Sequence, residues 1–546
     1  MTYVVTQSCC ADASCVVACP VNCIHPAPGE PGFGTTEMLY VDAKACVGCG
    51  ACATACPVDA IKPDTSLTPD EQPFLQINAD YFDCFPHRDR TPLAVVPKQR
   101  RLARSGPFRV AVVGAGPAGL YTADELLKHP EVSVDVYDRL PAPYGLVRYG
   151  VAPDHPHTKR VEQLFRAIEE QPGFAYRLGV EVGRDVDPAV LAEHYDAVVT
   201  AVGASADRRL DVPGEDLRGS LPATAVVGWY NGHPDRVGLD LLLDHERAVV
   251  VGTGNVALDV ARLLTASSER LAATDVDPDA ADRLAASAVR EVVVLGRRGP
   301  ADAAFTLPEL VGLAALSDRG DLDVLVEGTE PDDLTGDDHR SEILRELAAR
   351  PRTPGRRAVV LRFRAQPVAV LGDADGRVRG LEVERTRLET GVDGRTRAVP
   401  TGETEVLDTG LVLRSVGYRG LPVAGLPFDE ATGTVPHERG RVADRPGQYV
   451  VGWIKRGPSG FIGSNKADAE ETVATLLDDL DAGATPRPRR TGSPVEGLDL
   501  AAWRALDAEE RRLGGLAGRP RTKLTDLDAM RRAATAVPVG ARRRLT

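Results

Sequence analysis

The chain has 546 residues, 43% of them hydrophobic and 26% charged, and its 65 basic against 79 acidic residues leave a net charge of −14. That length allows three or four domains, and the apolar share suffices for packed cores, which excludes a wholly disordered chain. The acidic balance excludes nucleic acid as the main partner, because such binders carry a basic face, and the lack of any uninterrupted apolar run of about 18 residues excludes a membrane span. The N-terminus, MTYVVTQSCCADASC, lacks the basic and apolar regions of a secretory leader, so a cytoplasmic location is expected.

The first module is expected over residues 1–85. It holds all ten cysteines, ten acids and only two lysines, a balance of −8. Disulfides are not expected without a secretory leader. Two runs share one frame: Cys9-Cys10-Ala-Asp12-Ala-Ser-Cys15-Val-Val-Ala-Cys19-Pro20 and Cys46-Val-Gly-Cys49-Gly-Ala-Cys52-Ala-Thr-Ala-Cys56-Pro57. The second is the C-x-x-C-x-x-C-x-x-x-C-P spacing of bacterial ferredoxins, in which three close thiolates wrap one iron–sulfur cluster and the fourth reaches the other. Crossed ligation gives Cys46, Cys49, Cys52 and Cys19 to a [4Fe–4S] cluster. It gives Cys9, Cys15 and Cys56, with or without Asp12, to a [3Fe–4S] or a labile [4Fe–4S] cluster, because a carboxylate is a harder, weaker ligand than a thiolate. A zinc site is the alternative for paired CxxC; the proline after each run and the three-ligand spacing argue against it. Cys10, Cys23 and Cys84 are left over and read as buried small hydrophobes.

Residues 86–107 are rich in Pro and Arg and read as a linker or embracing arm. From Phe108 the chain reads strand, turn, helix repeatedly, as α/β domains do. Val110 to Gly119 is a strand and a G-x-G-x-x-G turn, with Gly114, Gly116 and Gly119 at the start of a helix; the next strand ends in Asp138, where a ribose hydroxyl is bound in such folds. Strand Tyr195–Thr200 with Gly203 suits a crossing to a second subdomain, and Arg414–Tyr418 a return. Between them lies a second turn, Gly252-Thr-Gly254-Asn255-Val256-Ala257-Leu258, whose partner strand ends in Arg297 and Arg298 instead of an acid. An arginine pair there suits a 2′-phosphate and so NADPH over NADH. Tyr449 to Gly463 reads as a strand, a glycine-rich loop and a helix start able to aim its dipole at a flavin edge. A further Pro/Arg-rich stretch, 484–494, sets off a C-terminal appendage. NADPH gives two electrons at once and a cluster accepts one, so a flavin between them is expected in the first fold, as FAD.

Over about residues 1–62 the chain resembles the seven-iron and eight-iron bacterial ferredoxins. From about 108 onward it resembles the adrenodoxin reductase family of ferredoxin–NADP reductases, on VVGAGPAGLY, PYGLVRYGVAPDHP (143–156), GNVALDVAR, VVLGRRGP, AAFTLPEL and VVGWIKRGPSGFIG. The combination resembles the fused ferredoxin/ferredoxin–NADP reductases of mycobacteria and relatives. The resemblance implies an α/β flavoprotein of two dinucleotide-binding domains, adrenodoxin reductase-like, with an N-terminal α+β ferredoxin domain. FAD would be held by 108–207 and 414–546, and NADP(H) by 208–413. It implies that Gly119, Asp138, Leu146, Val182, Trp453, Gly460, Phe461 and Ile462 line FAD. Arg208, Asn255 to Leu258, Arg297, Arg298 and Glu309 would contact NADP, and His155 would orient the flavin–nicotinamide pair or relay a proton. One departure is Gly312, where relatives often carry a second acid a turn beyond Glu309; it bears on a His–Glu relay and not on hydride transfer, which needs the rings within about 3–3.5 Å. The implied partners are NADPH and an external ferredoxin or P450-type acceptor. A glutamate-synthase-like electron-input subunit and a non-catalytic carrier or adaptor are the alternatives.

Overall fold

The computed structural model describes residues 1–93, 100–391 and 396–536. Residues 94–99 of the expected linker, 392–395 of the expected NADP domain and 537–546 of the expected FAD domain lie outside the described residues. No helix among the described residues is long and apolar enough to cross a membrane.

Two parallel sheets organise the body. In the first, five parallel strands stand in the order 448–450, 197–200, 108–113, 132–138, 174–178, and a short antiparallel pair extends the first edge. Val112 lies between Val136 and Val199, and all three are buried. Such apolar strands are stable only when helices cover both faces. The second sheet is parallel throughout, in the order 220–222, 411–414, 247–251, 291–295, 358–362, 323–327. A three-stranded antiparallel sheet, 365–372, 378–390 and 396–408, packs beside it. The chain passes between the two parallel sheets twice, and the passages pair as a small ribbon, Asp207 with Tyr418 and Ala206 with Arg419.

In each sheet the glycine turn follows the strand whose neighbours lie on opposite sides in chain order. Gly114 N donates to Tyr137 O at 2.7 Å and Gly252 N to Leu295 O at 2.9 Å. These are switch points, where crevices open at the carboxyl ends of strands. Both glycines have positive φ (115° and 122°), and a Cβ on either would meet a carbonyl oxygen, Ala201 O at 2.4 Å or Ser415 O at 2.1 Å.

The first module is built on two small antiparallel pairs, 3–5 with 61–63 and 24–25 with 40–41, and a helix, Pro73–Cys84. The buried Asn78 ties them together: its Oδ1 accepts from Val5 N and Val41 N, and its Nδ2 donates to Val5 O and Phe74 O. Cys10 and Cys23 are buried as expected. Cys84 is exposed, because it ends that helix at its solvent side.

The acidic module is docked on the body by charge. Asp59 pairs with Arg160 (2.6 Å), Asp70 with Arg319, Asp80 with His339 (2.8 Å) and Glu37 with Arg340 (2.9 Å). The basic stretch before Phe108 turns mostly elsewhere: Arg100 binds Asp478 and Asp481, and Arg104 binds Leu480 O, all on helix Ser464–Ala482. Among the described arginines of this stretch, Arg90 alone pairs with the module, at Asp42 (2.9 Å). The C-terminal segment is no loose appendage. Trp503, Leu506 and Met530 belong to the first sheet's core, and Glu510 forms a fully buried ion pair with Arg148 at 2.6 Å.

Candidate active site

The two cysteine runs adopt one backbone frame. Helices Ser14–Ala18 and Ala51–Ala55 start after left-handed residues, Ala13 (φ 60°) and Gly50 (φ 76°), and end on Cys19 and Cys56 with nearly identical dihedrals, φ −76° and ψ 117° or 116°. Ala11 and Ala13 flank Asp12 with positive φ just as Gly48 and Gly50 flank Cys49. Asp12 therefore occupies the second-ligand position, buried, with the Ser14 hydroxyl donating to its Oδ2. The donor chemistry fits iron–sulfur clusters. Gly48 N approaches Cys46 Sγ at 3.4 Å, Ala60 N approaches Cys56 Sγ at 3.3 Å and Cys23 N approaches Cys19 Sγ at 3.4 Å. Burial pushes the Cys9 thiol up to about 11 and the Cys52 thiol up to about 12, so these groups keep their protons unless a metal replaces them.

A cleft of about 810 Å³ opens where the first sheet's glycine turn, the second sheet's helix Asn255–Leu264 and the cysteine module meet. Gly114, Gly116, Asp138, Leu146 and Val182 line one arm. Asp138 accepts from Ala115 N and Leu140 N, both at 2.9 Å, and burial raises its pKa. At Gly116 a Cβ would meet only Gly145 Cα, at 3.9 Å, so the backbone there is open to a pyrophosphate. Trp453, Gly460, Phe461 and Ile462 line the opposite side. The expected single loop there contains a short helix, Trp453–Arg456, before the long helix begins at Ser464. Cys9 and Cys10 open onto the same cleft, and Gly463 N donates to Cys10 O at 2.9 Å. A Cβ on Gly463 would lie 2.4 Å from the backbone of Ala11 and Asp12.

Asn255, Val256, Asp259 and Glu309 form the wall opposite the first sheet's glycine turn. Asn255 Oδ1 accepts from Thr306 N at 2.8 Å, which fixes the segment that carries Glu309. His155 does not line the cleft. It stands one layer behind, with Nε2 2.5 Å from Arg262 Nη2, 3.3 Å from Asp259 Oδ1 and 3.6 Å from Glu309 Oε2. Burial and the Arg262 guanidinium oppose charge on His155, but Glu309 and Asp259 outweigh them and hold its pKa above the ordinary imidazole value. Burial pushes Glu309 up, and its Oε2 is buried without a hydrogen-bond partner. Asp259 stays low despite burial because Arg262 and His155 face it. Arg262 is itself buried and clamped by both oxygens of Asp154, at 2.7 and 3.1 Å.

A second cavity, of about 490 Å³, lies at the end of strand Glu291–Leu295, lined by Gly252, Thr253 and four arginines, Arg208, Arg209, Arg297 and Arg298. Arg209 pairs with Asp216 and Arg298 with Asp302, while Arg208 and Arg297 have no side-chain partner among the described residues. The cavity suits an anion.

Four residues expected to touch a nucleotide line neither cavity. Gly119 packs behind its turn, where a Cβ would lie 1.9 Å from Gly114 O. Ala257 and Leu258 are fully buried in the second sheet's core, and Gly254 adjoins its cavity with nothing within 4 Å of a built Cβ. Asp259 and Arg262 were not singled out from the sequence. Their signal was spacing: Asn255, Asp259 and Arg262 recur at i, i+4 and i+7, one helix face. Gln7, which fills the space at Gly312, carried no signal.

Comparison with known proteins bears on the same segments. A family model described as pyridine nucleotide-disulphide oxidoreductase matches residues 108–295, and one described as 4Fe-4S binding domain matches 39–62. A protein of Mycobacterium leprae (strain TN) named probable ferredoxin/ferredoxin–NADP reductase is 47% identical over 98% of this chain and 99% of its own. The human mitochondrial NADPH:adrenodoxin oxidoreductase is 44% identical over 78% of this chain and 91% of its own. The solved structure of Mycobacterium tuberculosis FprA in complex with NADPH is 41% identical, with a TM-score of 0.73 over 79% of this chain and all of that one.

Proposed function

From the premise that this chain belongs to the ferredoxin/ferredoxin–NADP reductase family, we propose that it is an NADPH-dependent flavoprotein that delivers electrons through its own ferredoxin module. The observation that carries this reading is the shared cleft: the glycine turn of the first sheet, the Asn255 helix of the second, and Cys9 and Cys10 of the module all line it. FAD, when bound, supplies the chemistry of accepting a hydride and releasing electrons singly.

The chain's own residues bind and orient. Residues 108–207 with 414–546 hold FAD: Gly114 and Gly116 leave room for the pyrophosphate, Gly119 packs helix on strand, and Asp138 accepts a ribose hydroxyl. Leu146, Val182, Trp453 and Gly460 to Ile462 enclose the rings. Residues 208–413 hold NADP(H), with Asn255 and Val256 on the cleft wall and Arg208, Arg297 and Arg298 on the 2′-phosphate. Glu309 faces the nicotinamide end, and His155 holds or releases a proton at Nε2 between Asp259 and Glu309. Cys46, Cys49, Cys52 and Cys19 are suited to a [4Fe–4S] cluster. Cys9, Cys15, Cys56 and Asp12 are suited to a [3Fe–4S] or labile [4Fe–4S] cluster, with residues 86–107 joining module to body. The second of these sets adjoins the cleft through Cys9, whereas Cys49 of the first is exposed toward an external ferredoxin or P450-type acceptor. Near full-length identity to a fused reductase disfavours a glutamate-synthase-like subunit, and the open cleft disfavours an inert carrier.

The test is anaerobic purification with iron, sulfide and FAD quantified on one sample, followed by NADPH addition. The expected outcome is bleaching of the flavin, cluster EPR signals and NADPH-dependent cytochrome c reduction. Bound FAD that NADPH does not bleach would sink the proposal.

A further inference from the structure

We propose that His25, Glu30 and His87 form a binding site for one divalent first-row transition ion, of which Zn²⁺ suits the donors best. His25 and Glu30 lie in the first module and His87 at the start of the segment that follows it, apart from both cysteine runs' ligands, and their donor atoms all fall within 4.8 Å of one another. His25 Nδ1 is 2.9 Å from Glu30 Oε2, and His87 Nδ1 is 3.9 Å from Glu30 Oε1. Around a tetrahedral ion with bonds of about 2.0–2.2 Å, ligand atoms stand roughly 3.3–3.6 Å apart. The observed spacings to the carboxylate bracket that value, and the part-exposed His87 ring must swing out from its stack on His25 by about 1.5 Å to bring both Nδ1 lone pairs onto one ion.

The outer contacts orient the ligands as metal sites require. His25 is buried, and its Nε2 lies 3.0 Å from Asn22 O, which can only accept. Nε2 therefore carries the proton, and in the neutral ring the Nδ1 lone pair points at the Glu30 carboxylate. Lone pair against anion is repulsive, and either a proton on Nδ1 or a metal cation between them removes the repulsion. Glu30 is held in place by Ala27 N, which donates to Oε2 at 2.7 Å. The His87 ring lies over His25, with centroids 3.6 Å apart, so both Nδ1 atoms face the same carboxylate. The buried Asn22 has an unpartnered Oδ1, and its Nδ2 makes two long 3.4 Å contacts, to His87 Nε2 and to Asp89 O. Turning the amide over lets Oδ1 accept His87 Nε2–H and leaves His87 Nδ1 free to ligate. Two imidazoles and one carboxylate leave a fourth position for water. The ion would fasten the loop after Cys23 to the segment that leaves helix Pro73–Cys84 toward the body.

The test uses the intact, cluster-loaded protein, exposed to Zn²⁺ and desalted, with zinc, iron and FAD measured by mass spectrometry and absorbance. About one zinc per FAD is expected beside full iron, with a zinc-edge X-ray absorption spectrum of nitrogen and oxygen ligands only. Glu30→Gln and His87→Ala should each weaken zinc retention at least 10-fold, with iron, FAD and cluster EPR unchanged. Should His87→Ala lose iron, Glu30→Gln on its part-exposed loop and the wild-type spectrum still decide. No retained zinc, sulfur in the zinc shell, or equal zinc in wild type and Glu30→Gln would each overturn the proposal.

Discussion

Arg297 and Arg298 stand where a dinucleotide fold ordinarily places an acid, and the cavity they share with Arg208 has more positive charge than the protein neutralises. A guanidinium on a phosphate contributes about 1.5–3 kcal/mol as charge-assisted hydrogen bonds. Arg298→Ala should therefore raise KM for NADPH roughly 10- to 100-fold and leave KM for NADH within about twofold. Steady-state kinetics with both nucleotides decides it, and an equal effect on the two would remove the 2′-phosphate assignment. A second residue sets a pH dependence. Glu169 is buried, its Oε2 accepts from Tyr144 and Tyr176, and burial pushes its pKa up to about 7 from the usual 4.5. The folded state thus holds a proton that the unfolded chain releases. The stability this adds is complete below about pH 4.5 and is lost as pH rises through about 7, at most on the order of 3 kcal/mol. Glu169→Gln keeps an acceptor for both hydroxyls. Its melting temperature should fall less than that of the wild type between pH 5 and 8, and exceed it at pH 8. Parallel melting curves for the two proteins would contradict the shift.

At the scale of elements, the cysteine runs show how far backbone geometry outlasts residue identity. Alanines 11 and 13 hold left-handed conformations that glycines 48 and 50 hold in the twin run, at a cost of about 1 kcal/mol or more each. The shared geometry suits the proposed cluster, at whose open corner Asp12 would stand where the twin run has Cys49. Asp12→Cys should convert a three-iron EPR signal of the oxidised protein into a four-iron one, and an unchanged signal would place Asp12 outside the ligand set. This duplication was legible in the sequence because ligand spacing is a local property. So were both glycine turns and the strands that feed them, since apolar runs bounded by glycine have few other readings. The wall of the active site was less legible. Asp259 and Arg262 look like the polar face of an ordinary amphipathic helix, and only the packing of His155 and Glu309 onto that face gives them chemistry. The Pro/Arg-rich stretch 484–494 makes the C-terminal helices read as an appendage, yet the pairs Arg148–Glu510 and Arg521–Asp507 bury their charges against the body. Charge on a sequence reads as surface unless its partner, for Arg148 a residue 362 positions away, is known.

For the whole molecule, the decisive feature is that an acidic module carrying −8 sits on a body that meets it with Arg160, Arg319, Arg340 and His339. Two kinds of contact hold it. Near the cleft, Gly463 abuts Ala11 and Asp12 without room for a side chain, and Leu307 N donates to Glu37 at 2.6 Å, so geometry is specified there. At the rim, the Arg160 and Arg319 pairs are about half exposed and each contributes about 0.2–1 kcal/mol. Because module and body share one chain, docking is intramolecular, and modest rim energies shift the docked fraction without abolishing encounter. Reversing both rim charges, Arg160→Glu with Arg319→Glu, turns two attractions into two repulsions. The docked-to-undocked ratio should fall about 5- to 30-fold. NADPH-dependent reduction of cytochrome c, which on the proposed route runs through the docked module, should drop several-fold at low salt. Ferricyanide, which reaches the flavin directly, should be reduced within about twofold of the wild-type rate. Raising NaCl to about 0.5 M should narrow the difference between variant and wild type, because screening weakens the repulsion and the attraction alike. Wild-type cytochrome c rates in the double variant at low salt would mean that the cleft contacts alone fix the module, and that the opposite charges of module and body play no part in delivering electrons.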